Sequence, residues 1–380
     1  MIVLRILHTA DWHLGKIVNE FSMIEDQRYY LHQLIDTIKE MNVDVIIMAG
    51  DLYDRSLPPK EAVSLADEIL TRMITELKVP VLAIAGNHDS NERLEFGSRL
   101  FTENQLYMEG TIKPTIRKVQ IQKTNFYLVP FGDPVYIREV YQDPTIRTME
   151  DVARIQVASI KKTMNPDECN VLISHSYVIN GTADSVEVSD SERPLSIGTA
   201  EYIPVEIFEE FDYVALGHLH KPQKVKKESI RYSGSILKYS KSECLHKKQV
   251  TLVDINKNHL EITPLYIEPK RDMRTLRGTF NDLMKGTSEN YIFFELEDTG
   301  IIMDSMNRLR RRYPHAMGLE YINHQKKQFS SLTHTQSDLK KYSMPDLFKA
   351  FYSEHTDSFL DEQDHTIIHN AFSAAERNFK

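Results

Sequence analysis

The sequence predicts an α/β protein, followed by a small α+β domain and a helical tail. Three observations predict it. Apolar runs lie at 2–7, broken only by Arg5, at 43–48 and at 81–85. Between them, 23–41 and 60–77 carry the spacing of amphipathic helices. Late in the chain, a polar stretch without periodicity separates two further helical patterns from everything before it.

The first helix pattern brings Ile24, Gln27, Leu31, Leu34, Ile35, Ile38 and Met41 close to one face. The second does so with Val63, Ala66, Ile69, Leu70, Met73 and Leu77, and Pro58 and Pro59 precede it where a missing N–H costs least. Strand and helix alternating at this spacing imply right-handed crossovers and a largely parallel sheet. Continuous rather than alternating apolar strands imply a sheet covered on both faces. Further strands are read at 126–129, 171–174 and 213–216. A shorter, more antiparallel set is read at 230–233, 248–254 and 259–267. Pro264, Pro269, Lys270 and Arg271 mark a boundary. Beyond it come strands at 273–279, 291–296 and 316–321, with helices at 280–285 and 301–313. The resulting division is 1–268, 269–322, a linker over 323–342, and a helical segment over 343–380.

Composition narrows the function. Of 380 residues, 41% are hydrophobic, enough for a sizeable core. No run of about 18 apolar residues marks a membrane span. The apolar start is too short for a signal-peptide core and is interrupted by Arg5. The two cysteines, Cys169 and Cys244, make no disulfide framework and are read as packing residues. A cytoplasmic protein is expected. The net charge of −9 argues against nucleic acid at first sight, but 266–341 carries a small excess of Lys and Arg.

The chemistry follows the strands. Asp11 and His13 come after the first, two positions apart and able to reach one ion. Gly50-Asp51 follows the second strand and Gly86-Asn87-His88-Asp89 the third. His175 and the pair His218 and His220 follow two later ones. Each element alone reads as an ordinary turn or a hydrogen-bonded histidine. Together they sit where strand ends of one open sheet would converge on a crevice. Carboxylates, an amide oxygen and imidazoles make a mixed site suited to Mn²⁺, Fe²⁺ or Zn²⁺. A lone carboxylate between two ions is the usual bridge of binuclear hydrolases, and Asp51 is the candidate.

These motifs resemble the signature of the calcineurin-like metallophosphoesterases. The segments His8-Thr9-Ala10-Asp11-Trp12-His13-Leu14-Gly15-Lys16, Ala49-Gly50-Asp51-Leu52-Tyr53-Asp54 and Ala215-Leu216-Gly217-His218-Leu219-His220-Lys221-Pro222 are similar to the SbcD family of bacterial double-strand-break nuclease subunits. So is Tyr232-Ser233-Gly234-Ser235. The resemblance covers roughly 4–240.

The resemblance implies a four-layer fold of two mixed sheets flanked by helices, capped by the α+β domain. It implies one metal on Asp11, His13, Asp51 and His220, and a second on Asp51, Asn87, His175 and His218. His88 would be a catalytic non-ligand that contacts the scissile phosphate or protonates the leaving oxygen. Some relatives carry a histidine three residues after the bridging aspartate, where this chain has Asp54. The implied reaction is Mn²⁺-dependent hydrolysis of DNA phosphodiesters by a metal-bridging hydroxide, exonucleolytic (3′–5′) at duplex ends and endonucleolytic on hairpins or single strands. The implied partner is an SbcC-type coiled-coil ATPase, docked by the segment from Met344 to Tyr352, with two copies of each chain. Arg308, Arg310, Arg311 and Arg312, read in one helix, would hold DNA.

Overall fold

The computed structural model describes residues 3–192 and 201–323, together with Phe348, Asp364, Ile368 and Phe372. The chain divides into two compact units. The first comprises 1–275, 287–293 and 313–318; the second comprises 276–286, 294–312 and 319–380.

The first unit is built on two six-stranded mixed sheets. The leading strands are β1 (Leu4–Thr9), β2 (Val45–Ala49), β3 (Val81–Ile84) and β4 (Leu106–Glu109). They run parallel in the order β1-β2-β3-β4. Helices α1 (Ile24–Glu40) and α2 (Lys60–Thr71) make the first two crossovers. The second sheet is one continuous stretch of chain: β5 (Arg117–Ile121), β6 (Thr124–Val129), β7 (Cys169–His175), β8 (Tyr213–Gly217), β9 (Gln223–Val225) and β10 (Lys227–Tyr232). Its order is β9-β10-β8-β7-β6-β5. Helix α3 (Met149–Lys161) enters through a capping box between Thr148 and Asp151 and leads into β7. The chain then returns to the first sheet as the antiparallel hairpin β11 (Val250–Asn256) and β12 (His259–Leu265), placing β11 beside β1.

Alternation along each strand distributes side chains between two cores. Ile6, Val45, Ile47, Leu82 and Ile84 pack with Phe126, Leu128, Val171, Ile173 and Ala215 between the sheets. Leu7, Ile46, Met48 and Val81 face the other way, against Leu31, Leu34 and Ile38 of α1 and Leu65 and Ile69 of α2. Tyr127, Leu172, Val214 and Leu216 pack with Ala153, Val157 and Ile160 of α3. The result is helix, sheet, sheet, helix. Every residue of β2, β3, β6, β7 and β8 is buried, as continuous apolar runs require.

Three readings of the sequence change. The strands near 230, 250 and 260 are not a separate set; one joins the second sheet and the other two close the first. The helix predicted over 60–77 becomes a π turn at Arg72–Glu76, and its buried face runs through Ala62, Leu65, Ala66 and Ile69, leaving Val63 outward. The late helix is only Ser305–Arg310, so Arg311 and Arg312 lie beyond its last turn. Arg308 stacks on the Phe280 ring at 4.3 Å, and Arg312 donates to the carbonyls of Gly286 and Lys285.

The strands Met273–Gly278, Tyr291–Leu296 and Ala316–Tyr321 form a three-stranded sheet in that order. Phe348, Asp364, Ile368 and Phe372 are helical, and the rings of Phe348 and Phe372 meet edge to face with centroids 6.1 Å apart. The expected linker over 323–342 and the helical segment over 343–380 otherwise lie outside the described residues.

Candidate metal centre

The loops that leave the strands carry strained backbone. Asp11, His13, Asp51 and His218 all have positive φ, between 47° and 105°. That region is sparsely populated by residues with a Cβ, so the surroundings must hold them there. They do. Asp11 and His13 donate their N–H groups to the carbonyls of Gly50 and Asp51, both at 3.0 Å, zipping the first loop to the second. Asp89 accepts from the N–H groups of Gly86, Leu52 and Tyr53 at 2.9, 3.2 and 2.9 Å, tying the second loop to the third. Gln27 reaches in from α1: its amide donates to the Trp12 and His13 carbonyls at 3.1 and 2.8 Å and accepts from Gly15 at 3.0 Å.

The sheets meet at the site, and glycine lets them. A Cβ on Gly217 would lie 1.9 Å from the Ala49 carbonyl oxygen. That oxygen also accepts from His175 Nδ1 at 2.9 Å, turning Nε2 of the ring toward Asn87 Oδ1 (2.9 Å) and Asp51 Oδ2 (3.4 Å). Asp51 Oδ2 also lies 3.6 Å from His13 Nε2. His13 Nε2 in turn faces His220 Nε2 at 3.0 Å.

The ligand-type atoms form three overlapping groups, each mutually within 4.8 Å: Asp11, His13 and His220; Asp11, Asp51 and His175; and His13, Asp51 and His88. Asp11, His13 and Asp51 each belong to two. Asn87 joins through His175. His218 is held by its backbone N–H on Asp11 Oδ1 (2.9 Å), and its ring lies 5.5 Å, centroid to centroid, from His175, outside these groups. His88, read as a non-ligand, stands within ligand reach of His13 and Asp51; its Nδ1 donates to the Asp54 carbonyl at 2.8 Å. The predicted residues thus converge, but on two facing sheets rather than the one the strand pattern implied.

Electrostatics favour a cation. Burial pushes the Asp11 carboxyl up to about 7, against the pull of His175 and His220. Burial opposes ionisation of Asp51 too, but His175 beside it outweighs that and holds it well below the carboxylate range. The reciprocal effect raises His175 to about 9 despite its burial. Burial drives His13 and His218 far below the usual imidazole range, so both are neutral, as ligands must be. Asp11 Oδ2 is buried without a hydrogen-bond partner. Carboxylate and imidazole lone pairs converging in a buried centre are costly unless a cation joins them, so the donor set fits divalent metal.

Residues outside the candidate ligand set also serve this site. Asp54 Oδ1 lies 3.7 Å from His13 Nδ1 and 2.8 Å from Lys16 Nζ. His220 Nδ1 meets Ser191 Oγ at 2.7 Å, and its backbone N–H donates to Glu192 at 2.6 Å. Ser191 also bonds Glu243, which Lys248 contacts at 2.5 Å. Tyr239 donates to the Trp12 carbonyl at 2.5 Å. Gln27 left a trace in the sequence, as an amide on an otherwise apolar helix face, and Asp54 and Lys16 stand within the quoted motif segments. Ser191, Glu192, Glu243 and Lys248 belong to no motif.

The chain is similar to known proteins along most of its length. Residues 4–222 match the calcineurin-like phosphoesterase family, and 269–356 match a family described as the type 5 capsule protein repressor C-terminal domain. The SbcD chain of the nuclease SbcCD of Staphylococcus epidermidis is 34% identical over 367 residues, covering 94% of this chain and 95% of that one. Two solved structures align loosely. A dimetal phosphatase from Danio rerio is 12% identical with a TM-score of 0.40, covering 70% of this chain and 98% of that one. The GAP50 anchor of the Plasmodium inner membrane complex is 10% identical with a TM-score of 0.36, covering 84% and 97%. Likenesses this slight carry no inference.

Proposed function

The chain belongs to the SbcD family of calcineurin-like phosphoesterases, and on that premise we propose that it is the nuclease component of a two-protein DNA-processing complex. It is a metal-dependent phosphodiester hydrolase. Its proposed substrates are duplex DNA ends, degraded 3′–5′, and hairpins or single strands, cut internally. The observation that carries the reading is the convergence of Asp11, His13, Asp51, His175 and His220 from two sheets on one buried, cation-seeking centre.

In this reading Asp11, His13, Asp51 and His220 hold one metal, and Asp51, Asn87, His175 and His218 the other. Divalent ions there lower the pKa of bound water and neutralise phosphate charge, and Mn²⁺ suits the mixed donors. The chain's own residues do the rest. Asp51 sits between the two histidine sets and serves as the shared ligand. His88, its Nδ1 committed to the Asp54 carbonyl, directs Nε2 to the scissile phosphate or the leaving oxygen. The strained loops fix these groups before substrate arrives, so little reorganisation is left for the reaction.

The proposed partner is a coiled-coil ATPase of the SbcC type, engaged through the segment after 343. A homodimer is also proposed, supported by Phe96, Leu100 and Phe101, of which the first two are 83% and 71% exposed. A cytoplasmic location is proposed in keeping with a DNA substrate; among the described residues no helix is long and apolar enough to cross a membrane.

The test is cleavage of linear duplex and hairpin DNA by the purified chain with Mn²⁺, alone and with the ATPase partner and ATP. Cleavage that EDTA abolishes supports the reading. Hydrolysis of small phosphodiesters with no action on DNA under any of these conditions would move the chain to another activity of its superfamily.

A further inference from the structure

His220, which faces His13 across the centre, is supported differently from His175. His175 Nδ1 donates to a main-chain carbonyl, Ala49 O at 2.9 Å. Behind His220 stands a chain of side chains. Glu243 is fully buried, and its carboxylate is flanked by Lys248 Nζ at 2.5 Å on Oε2 and by Ser240 Oγ at 3.0 Å on Oε1. Ser191 Oγ contacts that same Oε1 and lies 2.7 Å from His220 Nδ1.

The direction of this chain is fixed. A carboxylate can only accept, so Ser191 gives its single hydroxyl proton to Glu243. The serine oxygen is then an acceptor toward His220, and Nδ1 must carry the proton. In the neutral ring that a ligand must be, the lone pair is then left on Nε2, the atom 3.0 Å from His13 Nε2. Glu243 Oε1 itself lies 3.4 Å from Nδ1, which adds a direct attraction to the same tautomer. Lys248 closes the arrangement by also donating to the His220 carbonyl at 2.7 Å.

We propose that Glu243, acting through Ser191, is a positioning residue that holds His220 in the Nδ1-protonated tautomer and thereby sets the affinity of one of the two metal positions, the one built on Asp11, His13 and His220. This inference rests on the metal reading of the centre. A carboxylate behind a ligating imidazole makes it a stronger donor, and loss of such a partner typically costs 10 to 100 fold in metal affinity. The position that includes His175, backed only by a neutral carbonyl, is independent of this chain. The two positions therefore differ in how they can be weakened.

The experiment is titration of the metal-free full chain with Mn²⁺, followed by electron paramagnetic resonance of the free ion and by calorimetry. Wild type should bind two ions, and His220→Ala identifies the step that depends on His220. Ser191→Ala, which leaves the Lys248–Glu243 pair in place, should raise the dissociation constant of that step by about 10 to 100 fold and leave the other within about threefold. Glu243→Gln should do the same, and the double variant no more than either alone, because both act on one chain of bonds. Ser191→Thr keeps the hydroxyl and should restore wild-type binding, which a purely structural role for this loop would not require. Unchanged binding in Ser191→Ala, or equal weakening of both steps, overturns the inference whether or not Glu243→Gln folds. A wild-type chain that binds no Mn²⁺ overturns the metal reading itself, and that result is distinct from any difference among variants.

Discussion

Asp51 accepts the backbone N–H of His88 through Oδ1 at 2.9 Å, which leaves Oδ2 facing Nε2 of His13 at 3.6 Å and of His175 at 3.4 Å. One carboxylate thus serves two tasks, anchoring the loop of His88 and lying between the histidine sets.

Asp51→Asn keeps the shape and removes the charge. It should weaken both Mn²⁺ binding steps and lower DNA cleavage by more than the roughly hundred-fold that marks the upper end for residues one step behind a ligand. Calorimetric titration and a nuclease assay check this together. Loss of only one binding step would show that Asp51 is not shared.

His88→Ala should separate binding from chemistry. Its ring is within ligand reach, yet its assigned role is to contact phosphate. The variant should retain both ions while cleavage falls by about 10² to 10⁴ fold, the usual contribution of a positioned acid or hydrogen-bond donor. A lost ion would instead make His88 a ligand.

Gly217→Ala should drive the sheets apart at their meeting point. Its Cβ would fall 1.9 Å from the Ala49 carbonyl oxygen and 2.8 Å from His175 Nδ1. Backbone cannot yield cheaply there, so a loss of about 1–3 kcal/mol or more is expected in urea unfolding. Mn²⁺ binding should weaken too, because the same carbonyl orients His175. A variant with wild-type stability and affinity would contradict this placement.

His8 predicts a pH effect away from the ligands. It is buried with Nδ1 on the Tyr213 hydroxyl at 2.9 Å, and burial, with a smaller push from Arg231, drives its pKa down to about 3. The unfolded chain takes up a proton near 6.5 and the folded chain does not until far lower. Stability from this group is therefore full above 6.5 and declines as the pH falls toward 3. Between pH 7.5 and 5.0 the wild type should lose about 2 kcal/mol more than His8→Gln. Parallel stability profiles for the two proteins would refute the assignment.

Much of this was legible in the residues. Apolar runs located β1, β2 and β3, and the residues after them and after two later strands named the candidate ligands. What could not be read was the partition into two sheets, because Val171 and Ile47 present the same continuous apolar signal whichever sheet they join. The return of β11 to pair with β1 is a contact across most of the chain, and no local pattern encodes it. Arg308 and Arg312, expected to be available for DNA, instead engage an aromatic ring and two carbonyls. Glu243, Ser191 and Lys248 escaped notice for a related reason: polar residues behind a ligand carry no periodicity, and their role appears only when folding brings them to His220.

The division of the ligands between two sheets also bears on assembly. Asp11, His13, Asp51 and Asn87 follow strands of one sheet, and His175, His218 and His220 follow strands of the other, which is spun from a single uninterrupted stretch of chain. Neither half alone supplies all the candidate ligands. Residues of both halves would hold the ions of the proposed centre, so loading would rivet the layers together and stripping would let the seam breathe. Chelation should then raise amide exchange first along the facing rows of Ile47, Ile84, Val171 and Ile173, deep in the protein and well beyond the loops that touch metal.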